Sequence, residues 1–279
     1  SDGRRLLVYK DMGLVSQVFD ERSLSGLVGH IAVGHCRYST TGGSTWENAQ
    51  PTLGGHSGFT VALAHNGNLT NSAELRELVM ERQDEGFDVH AGELRRGNTT
   101  DTALVTALLV DDPSRTIEER ALDLLPRLRG AFSFVFMDEH TLYAARDPQG
   151  IRPLVLGRVD RGWVVASETA ALDIVGASLI REVEPGELIA IDEDGLRSSK
   201  WATPEPKGCV FEYVYLARPD TTIRGQVVHA SRVEMGRTLA REHPVEADLV
   251  IPTPESGTPA AIGYAQESGI PYGQGLVKN

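Results

Sequence analysis

The sequence predicts an α+β fold over residues 1–201, built as a four-layer αββα sandwich, and then the start of an α/β domain over residues 209–279. In the first part the predicted elements run as strands, then helices, then strands, an order typical of stacked sheets covered by helices. Residues 202–208 contain two prolines without periodicity and are predicted to be a linker, after which strands and helices alternate as in βαβ units. The length of 279 residues also suits two domains, since a domain has roughly 150 residues.

The strands of the first part are predicted from short apolar and β-branched runs bounded by Gly, Pro, Asn, Asp or Ser. In chain order these runs are residues 6–9, 30–39, 60–65, 131–137, 141–145, 154–159, 163–167 and 188–192. Segments between them, such as 147–150 and 184–187, have the composition of turns.

Capping residues predict where three helices of the first part begin. A Ser, Thr, Asn or Asp before a helical apolar pattern marks an N-cap, and an acidic residue three positions later completes a capping box. The candidate caps are Asn71 with Glu74, then Thr99 or Thr100, then Thr116 with Glu119. The second helix is predicted to run through Leu109 and the third to end before Gly130.

The second part shows alternating patterns of both kinds. Strands are predicted at residues 210–216, at 248–251 and near Pro271, and helices at 230–242 and 259–266. This alternation is the basis for the predicted α/β domain.

Charge and hydropathy exclude several classes of protein. The chain has 27 Lys and Arg against 39 Asp and Glu, a net charge of −12 without a dense basic stripe, which argues against nucleic-acid binding. Since no apolar run reaches about 18 residues, neither a membrane-spanning helix nor a membrane partner is expected. The two cysteines, Cys36 and Cys209, form no CxxC pair, and residues 1–5 lack the apolar core of a signal peptide. Together these features predict a cytoplasmic protein.

A polar cluster follows the strand predicted at residues 30–39. Arg37 stands close to Ser39, Thr40 and Thr41. An arginine holds a carboxylate through two parallel hydrogen bonds, and neighbouring hydroxyls add donors, so the cluster is a candidate carboxylate site. A solvated arginine on a turn is an equally good interpretation of this segment alone.

Two further clusters complete a candidate site for an amino-acid amide. Asn66 and Gly67 could direct a side-chain amide and a backbone N–H at one oxygen, as an oxyanion hole requires, although an Asn-Gly pair is more often a plain turn. Asp101 lies in the first turn of a predicted helix, where a carboxylate either caps the helix or binds an ammonium group. Anchors for a carboxylate and an ammonium, with a pair that polarises a carbonyl, suit glutamine.

Motifs around these clusters resemble those of class II glutamine amidotransferases, which are N-terminal-nucleophile hydrolases. The matching segments, in chain order, are GHCRYSTTG, WENAQP, AHNGNL, VHAGEL and NTTDT. The resemblance narrows to the amidophosphoribosyltransferase family through CVFEYVYLARPD, PESGTPAA and GLVKN, and it covers essentially the whole chain. The glucosamine-6-phosphate synthases have similar motifs in the first domain but lack CVFEYVYLARPD.

This resemblance implies a fold, a reaction and a glutamine site. The fold is the αββα N-terminal-nucleophile hydrolase sandwich followed by the start of a phosphoribosyltransferase-type domain. Members of the family hydrolyse glutamine and transfer the ammonia to phosphoribosyl pyrophosphate, giving 5-phosphoribosylamine, glutamate and pyrophosphate in the first committed step of purine synthesis. The implied site has Asn66 and Gly67 as oxyanion hole, Asp101 for the ammonium group, and Arg37, Ser39, Thr40, Thr41 and His65 for the rest of glutamine.

The same resemblance implies the ligands of the second domain. Glu255, Ser256, Gly257 and Lys278 would contact phosphoribosyl pyrophosphate, which binds with Mg²⁺. Cys209 would be one ligand of the 4Fe–4S cluster that some members carry. Family membership also implies a homotetramer and feedback inhibition by purine nucleotides.

Two features of the family have no match in these 279 residues. The family nucleophile is a mature N-terminal cysteine followed by Gly-Ile-Phe-Gly, and the motifs place Ser1 well downstream of it. The Asp-Asp loop of phosphoribosyltransferases is the second. We therefore expect a fragment cut at both ends that binds glutamine weakly and is inactive alone, with Cys36 packed rather than catalytic. The alternative is a non-catalytic glutamine-binding or regulatory protein.

Overall fold

The structure is a computed structural model that describes residues 1–37, 45–56, 59–85, 93–96, 98 and 100–278. The chain divides into a first unit, Ser1–Arg152 with Val183–Lys207, and a second unit, Pro153–Glu182 with Gly208–Asn279. The predicted boundaries, 1–201, 202–208 and 209–279, place residues 153–182 in the first domain, whereas the structure groups them with the second unit. Those boundaries remain a prediction, because a compact unit need not coincide with a domain.

Two antiparallel sheets and a short hairpin form within the described residues. The strands are β1 Thr52–His56, β2 Phe59–Leu69, β3 Gly130–Met137, β4 Leu142–Arg146, β5 Val155–Val159, β6 Gly162–Ala166, β7 Ser178–Glu182, β8 Glu187–Asp192, β9 Gly195–Lys200, β10 Thr222–Ile223 and β11 Gln226–Val227. The first unit contains a six-stranded sheet in the order β1-β2-β3-β4-β8-β9. In the second unit, β5 lies between β6 and β7, and β10 pairs with β11.

The helices complete an α+β architecture, as predicted. They are α1 Val15–Val18, α2 Glu21–Ser25, α3 Ser72–Asp84, α4 Asp101–Leu109, α5 Ile117–Leu124, α6 Thr169–Ile174, α7 Val228–Glu242 and α8 Thr258–Ser268. The three helices predicted from capping residues correspond to α3, α4 and α5. None of the helices in the described ranges is both long and apolar enough to cross a lipid bilayer.

The main core lies between one face of the six-stranded sheet and the helices α3, α4 and α5. Side chains alternate across a strand, so Val61 and Leu63 of β2 point into this core. Ala62 lies on the opposite face, where it lines a cavity together with residues from 6–11 and 27–35. The two faces of β2 therefore have different neighbours. Successive side chains along this strand point alternately to the core and to the opposite face.

Two of the strands predicted in the first unit are wrong. Residues 6–9 and 30–37 form no strand in the described part of the chain, and residues 38 and 39 lie outside it. The carbonyl oxygen of Ser1 accepts the N–H groups of His30 and Ile31 at 2.8 and 3.4 Å, in place of a strand ladder. Composition reports the tendency of a segment to be extended, but a strand also needs a paired neighbour.

A third predicted strand, residues 210–216, is also wrong, because Glu212–Leu216 forms a π-helical turn. Arg232, which is 2% exposed, donates to the carbonyl oxygens of Tyr213, Glu212 and Ala217. Carbonyl groups converge in this way at the carboxyl end of a helical turn, whereas in a strand they point to alternate sides. A buried arginine from α7 therefore decides the conformation of this apolar segment.

The remaining predictions for residues 209–279 agree with the structure in part. The helices predicted at 230–242 and 259–266 are confirmed as α7 and α8. The strands predicted at 248–251 and near Pro271 are represented, among the described residues, by one parallel bridge between Val250 and Tyr272. This parallel pairing has the direction expected of a βαβ unit.

The capping box at the start of α5 provides a test of local stability. The Thr116 hydroxyl accepts the Glu119 N–H at 3.2 Å, and the Glu119 carboxylate accepts the Thr116 N–H at 2.9 Å. We expect Thr116→Ala to lower the free energy of unfolding by about 1 kcal/mol, because an N–H of the first turn loses its acceptor. Urea denaturation measures the change, with Thr116→Ser as the control that keeps the hydroxyl. Equal stability of both variants would contradict this assignment.

Candidate functional site

Asn66 and Gly67 lie inside β2, paired with Ser133 and Phe132 of β3. Gly67 has a φ of 143°, and a Cβ added there would collide with the backbone oxygen of Ala131. Glycine is thus required by the close approach of β3 and by a backbone conformation that other residues rarely adopt. The plain-turn interpretation of this Asn-Gly pair is excluded, since both residues belong to a strand.

Asp101 occupies the first turn of α4, where Thr100 is the N-cap. The Thr100 hydroxyl accepts the N–H of Ala103 at 3.3 Å, so Asp101 is not needed as the cap. Asp101 instead joins α4 to the end of β2, because its Oδ2 accepts the Leu69 N–H at 2.9 Å. Its Oδ1 accepts the N–H of Thr102 at 2.8 Å.

The Asp101 carboxylate is held in its charged form. Burial opposes ionisation, since the residue is 8% exposed, but His65 and the N–H groups of Leu69 and Thr102 favour the anion. The balance holds the pKa of Asp101 below its ordinary value. An anion in this position has the charge needed to bind an ammonium group.

His65 is buried next to the Asp101 carboxylate. Its Nδ1 is 3.7 Å from Oδ1 of Asp101 and 3.3 Å from the Thr102 hydroxyl, and its ring packs against Phe134 in a tilted arrangement with centroids 4.7 Å apart. His65 is 5% exposed, so its ring is buried in the first unit. Direct binding of glutamine by His65 stays a prediction.

Arg37 lies half-buried beside the turn Trp46–Asn48 and donates from Nη1 to the carbonyl oxygen of Asn48 at 3.2 Å. Ser39, Thr40 and Thr41, predicted as its partners, lie outside the described residues. Cys36 is exposed, so the expectation that it is packed is wrong.

The segments that carry Arg37 and Asp101 meet at the same turn. Asn98 donates to the carbonyl oxygen of Glu47 at 2.7 Å, and its own Oδ1 accepts the N–H of Thr100 at 2.9 Å. Asn98 therefore links the turn beside Arg37 to the start of α4. The structure brings these two predicted anchors to one region of the first unit.

A buried ion pair that the sequence did not indicate lies next to this turn. Lys10 and Glu93 are paired, and each side chain is 6% exposed. Lys10 also donates to the carbonyl oxygens of Ala49 and Pro51 at 3.0 and 3.2 Å. Glu93 belongs to the VHAGEL motif, which was the available sequence signal, but its partner could not be identified without the fold.

The residues predicted to bind phosphoribosyl pyrophosphate lie in the second unit. Glu255, Ser256 and Gly257 form the turn before α8, with the Gly257 N–H donating to the Thr253 carbonyl at 3.2 Å. Glu255 is exposed, and so is Lys278. Their roles stay predictions.

The chain's own residues cannot complete a 4Fe–4S cluster, and the assignment of Cys209 as one ligand of such a cluster stays a prediction. Such a cluster takes about four thiolates, whereas the sequence contains two cysteines, and Cys209 is half-buried in the second unit while Cys36 belongs to the first. No group of three or more His, Cys, Asp or Glu side chains in the described residues is arranged to hold a metal ion. No step is therefore assigned to such a cluster.

Comparison with known proteins gives concordant similarities. Residues 35–174 match the family model described as glutamine amidotransferase domain. Over 281 aligned residues the chain is 64% identical to an amidophosphoribosyltransferase of Mycobacterium tuberculosis, covering 100% of this chain and 52% of that protein. A Bacillus subtilis amidophosphoribosyltransferase is 41% identical, with 100% and 57% covered. The chain thus spans about half the length of the curated relatives it matches.

Two solved structures are similar over the whole chain. One, described as the allosteric regulatory enzyme of purine biosynthesis, gives a TM-score of 0.91 at 40% identity and is covered over 58% of its length. The other, a glutamine phosphoribosylpyrophosphate amidotransferase from B. subtilis complexed with ADP and GMP, gives 0.89 at 39% identity, with 59% covered. These similarities confirm the predicted fold class.

Proposed function

This chain belongs to the glutamine amidotransferase family, and on that premise we propose that it supplies the glutamine-hydrolysing part of an amidophosphoribosyltransferase. The reaction proposed for the whole protein hydrolyses glutamine to glutamate. The released ammonia then displaces pyrophosphate from phosphoribosyl pyrophosphate, which forms 5-phosphoribosylamine for purine synthesis. Similarity to named amidophosphoribosyltransferases along the whole chain supports this assignment.

The observation that carries the proposal is the arrangement of polar groups along the end of β2. Asn66 and Gly67 occupy the strand, and the N–H of Leu69, three residues after Asn66, binds the ionised Asp101 at 2.9 Å. Three residues of a strand span roughly 10 Å, which is comparable to an extended glutamine with a hydrogen bond at each end. One strand therefore presents a site for the amide oxygen and a site for the ammonium group.

Each of these residues has a distinct role in the proposed reaction. Arg37 would pair with the α-carboxylate of glutamine and Asp101 with its ammonium group, which fixes the substrate at one end. Attack on the side-chain carbonyl places negative charge on its oxygen. The Asn66 amide and the Gly67 N–H would stabilise that charge, because preorganised donors lower the barrier most where charge develops. The attacking thiolate would come from the N-terminal cysteine typical of the family.

Substitution of Asn66 tests this assignment. In the natural gene product that contains this chain, we expect Asn66→Ala to lower kcat for glutamine hydrolysis about a hundredfold, as removal of one oxyanion donor does. Glutamate release under saturating glutamine measures the change. Asn68→Ala is the matched control, because Asn68 lies on the same strand, is exposed and has no proposed role. An Asn66→Ala variant with unchanged kcat would refute the oxyanion role.

The rival function, a non-catalytic glutamine-binding or regulatory protein, makes a different prediction about the natural gene product. Intact mass and N-terminal sequencing of that product, purified from its source, separate the two. A product beginning with Cys-Gly and releasing glutamate supports the amidotransferase. A product without an N-terminal cysteine that binds glutamine without releasing glutamate supports the rival.

The ligands of the second half-reaction are proposed from the relatives. Phosphoribosyl pyrophosphate would contact Ser256, Gly257 and Lys278. Mg²⁺ would bind with it, since this ion is usually held by one or two carboxylates and substrate phosphates, and Glu255 is the carboxylate of that turn. We extend regulation by purine nucleotides, homotetramer assembly and a cytoplasmic location to this protein on the same basis. Calorimetric titration with GMP tests the nucleotide proposal.

A further inference from the structure

Arg152 contacts the candidate oxyanion hole from a position 86 residues away in sequence. Its Nε–H donates to Oδ1 of Asn66 at 3.0 Å, and both side chains are half-buried. Neither the motif resemblance nor residue type had singled out Arg152. This hydrogen bond brings the positively charged guanidinium of Arg152 into contact with the Asn66 amide. That amide is proposed to stabilise the negative charge that develops in the reaction.

The backbone of Arg152 is held against the strand opposite Asn66. Its carbonyl oxygen accepts hydrogen bonds from Nε of Arg146 at 2.8 Å and from the Ser133 hydroxyl at 3.1 Å. Ser133 is the β3 residue that pairs with Asn66 in the sheet register. Arg152 is therefore fixed relative to the same pair of strands that carries the oxyanion hole.

The loop before Arg152 is itself rigidly bonded. Asp147 is fully buried, and its carboxylate accepts N–H groups of Phe132, Gln149 and Ile151. Arg146 is 3% exposed and donates to the Gly150 carbonyl at 3.0 Å. These hydrogen bonds hold the backbone of the loop that leads to Arg152. The contact between Arg152 and Asn66 therefore does not depend on a long flexible loop.

A guanidinium has donors and no acceptor, whereas an amide side chain has an oxygen that accepts and a nitrogen that donates. The terminal torsion of asparagine is broad and roughly two-fold, so an unsupported amide exchanges the positions of these two atoms readily. A donor at Oδ1 selects the orientation in which Nδ2 is turned away from Arg152. A charged donor also polarises the amide and strengthens the hydrogen bonds that its N–H groups make.

We propose that Arg152 is a positioning residue that holds the Asn66 amide with its N–H groups directed at the oxyanion of the tetrahedral intermediate. This inference rests on the proposed function, because it assumes that glutamine hydrolysis develops an oxyanion beside Asn66. Arg152 itself need not touch the substrate. Its effect is expected on kcat, since the oxyanion is present in the transition state and not in bound glutamine.

The test measures glutamate release from L-glutamine by the natural gene product that contains this chain. We expect Arg152→Met to lower kcat about tenfold, less than the loss on removing the donor itself, with KM changed less than about twofold. Arg152→Lys, which restores a charged donor, should recover part of kcat. In an Asn66→Ala background, Arg152→Met should have no further effect on kcat, because the group it positions is gone.

Arg197→Met is the matched control. Arg197 is an exposed arginine of β9, ion-paired with Glu118 and Asp192 and remote in role from the proposed site, so kcat should not change. Urea denaturation of each variant separates lost activity from lost folding. Full kcat in Arg152→Met, or equal losses with and without Asn66, would overturn the inference while leaving the function intact. An unsubstituted protein that releases no glutamate would overturn the proposed function, and this inference with it.

Discussion

Asp101→Asn is expected to lower kcat/KM for glutamine about a thousandfold, or about 4 kcal/mol, because the substrate's ammonium group would lose a buried charged partner. The substitution preserves the shape of the side chain but removes its charge. The new amide would also present N–H donors to the backbone N–H groups of Leu69 or Thr102, which now donate to the carboxylate. Steady-state kinetics of the gene product that contains this chain measure the loss.

The expected loss lies mainly in KM, since Asp101 is proposed to bind glutamine equally before and during reaction. Asp112→Asn is the matched control, because Asp112 carries the same carboxylate in a turn after α4, where it accepts the Ser114 N–H at 3.0 Å. Unchanged KM in Asp101→Asn would remove Asp101 from the substrate site.

The lowered pKa of Asp101 adds a pH dependence to this prediction. A depressed pKa means that folding favours the anion, which is the form proposed to bind the ammonium group of glutamine. The contribution of the ionised Asp101 to folding stability is complete at pH values above the ordinary pKa of an aspartate. It is lost as pH falls through the lowered pKa. Glutamine affinity is therefore expected to stay constant as pH falls from 7 toward that ordinary range, about 4, where a solvent-exposed carboxylate would already be titrating. Calorimetric titration with glutamine at several pH values measures this.

Gly67→Ala is expected to lower the free energy of unfolding by more than about 4 kcal/mol, or to prevent folding. Two effects add at this position. The φ of 143° is strained for alanine, and the added Cβ would collide with the Ala131 carbonyl unless β2 and β3 separate. Separation of these strands would break the β2–β3 pairing inside the six-stranded sheet. Urea denaturation of the chain measures the loss.

Gly195→Ala separates backbone strain from the collision. Gly195 also has a positive φ, 116°, but an added Cβ there would meet no atom within 4 Å. Backbone strain alone should cost about 1–3 kcal/mol. If both variants lost equal stability, the close approach of β3 would not be the reason for glycine at position 67.

Helix starts were predictable because their signals are local. Thr100 and Thr116 cap α4 and α5 through hydrogen bonds to residues three positions away, and the capping box at Thr116 was found from spacing alone. The strands β1, β7, β9, β10 and β11 and the short helices α1, α2 and α6 were not predicted, since their sequences lack clear periodicity. Pairing with a neighbour, rather than composition, makes these strands.

By itself, the sequence determined the α+β class, the main helix starts and the types of residue at the candidate glutamine site, because these depend on composition, local spacing and motif order. The tertiary structure decided the rest. It showed that residues 30–37 lack a strand partner in the described part of the chain and that Arg232 draws residues 212–216 into a helical turn. It also joined Leu69 to Asp101 across 32 residues and Asn66 to Arg152 across 86. Such contacts depend on how segments that are distant in sequence pack together. A short-range sequence pattern carries no information about that packing.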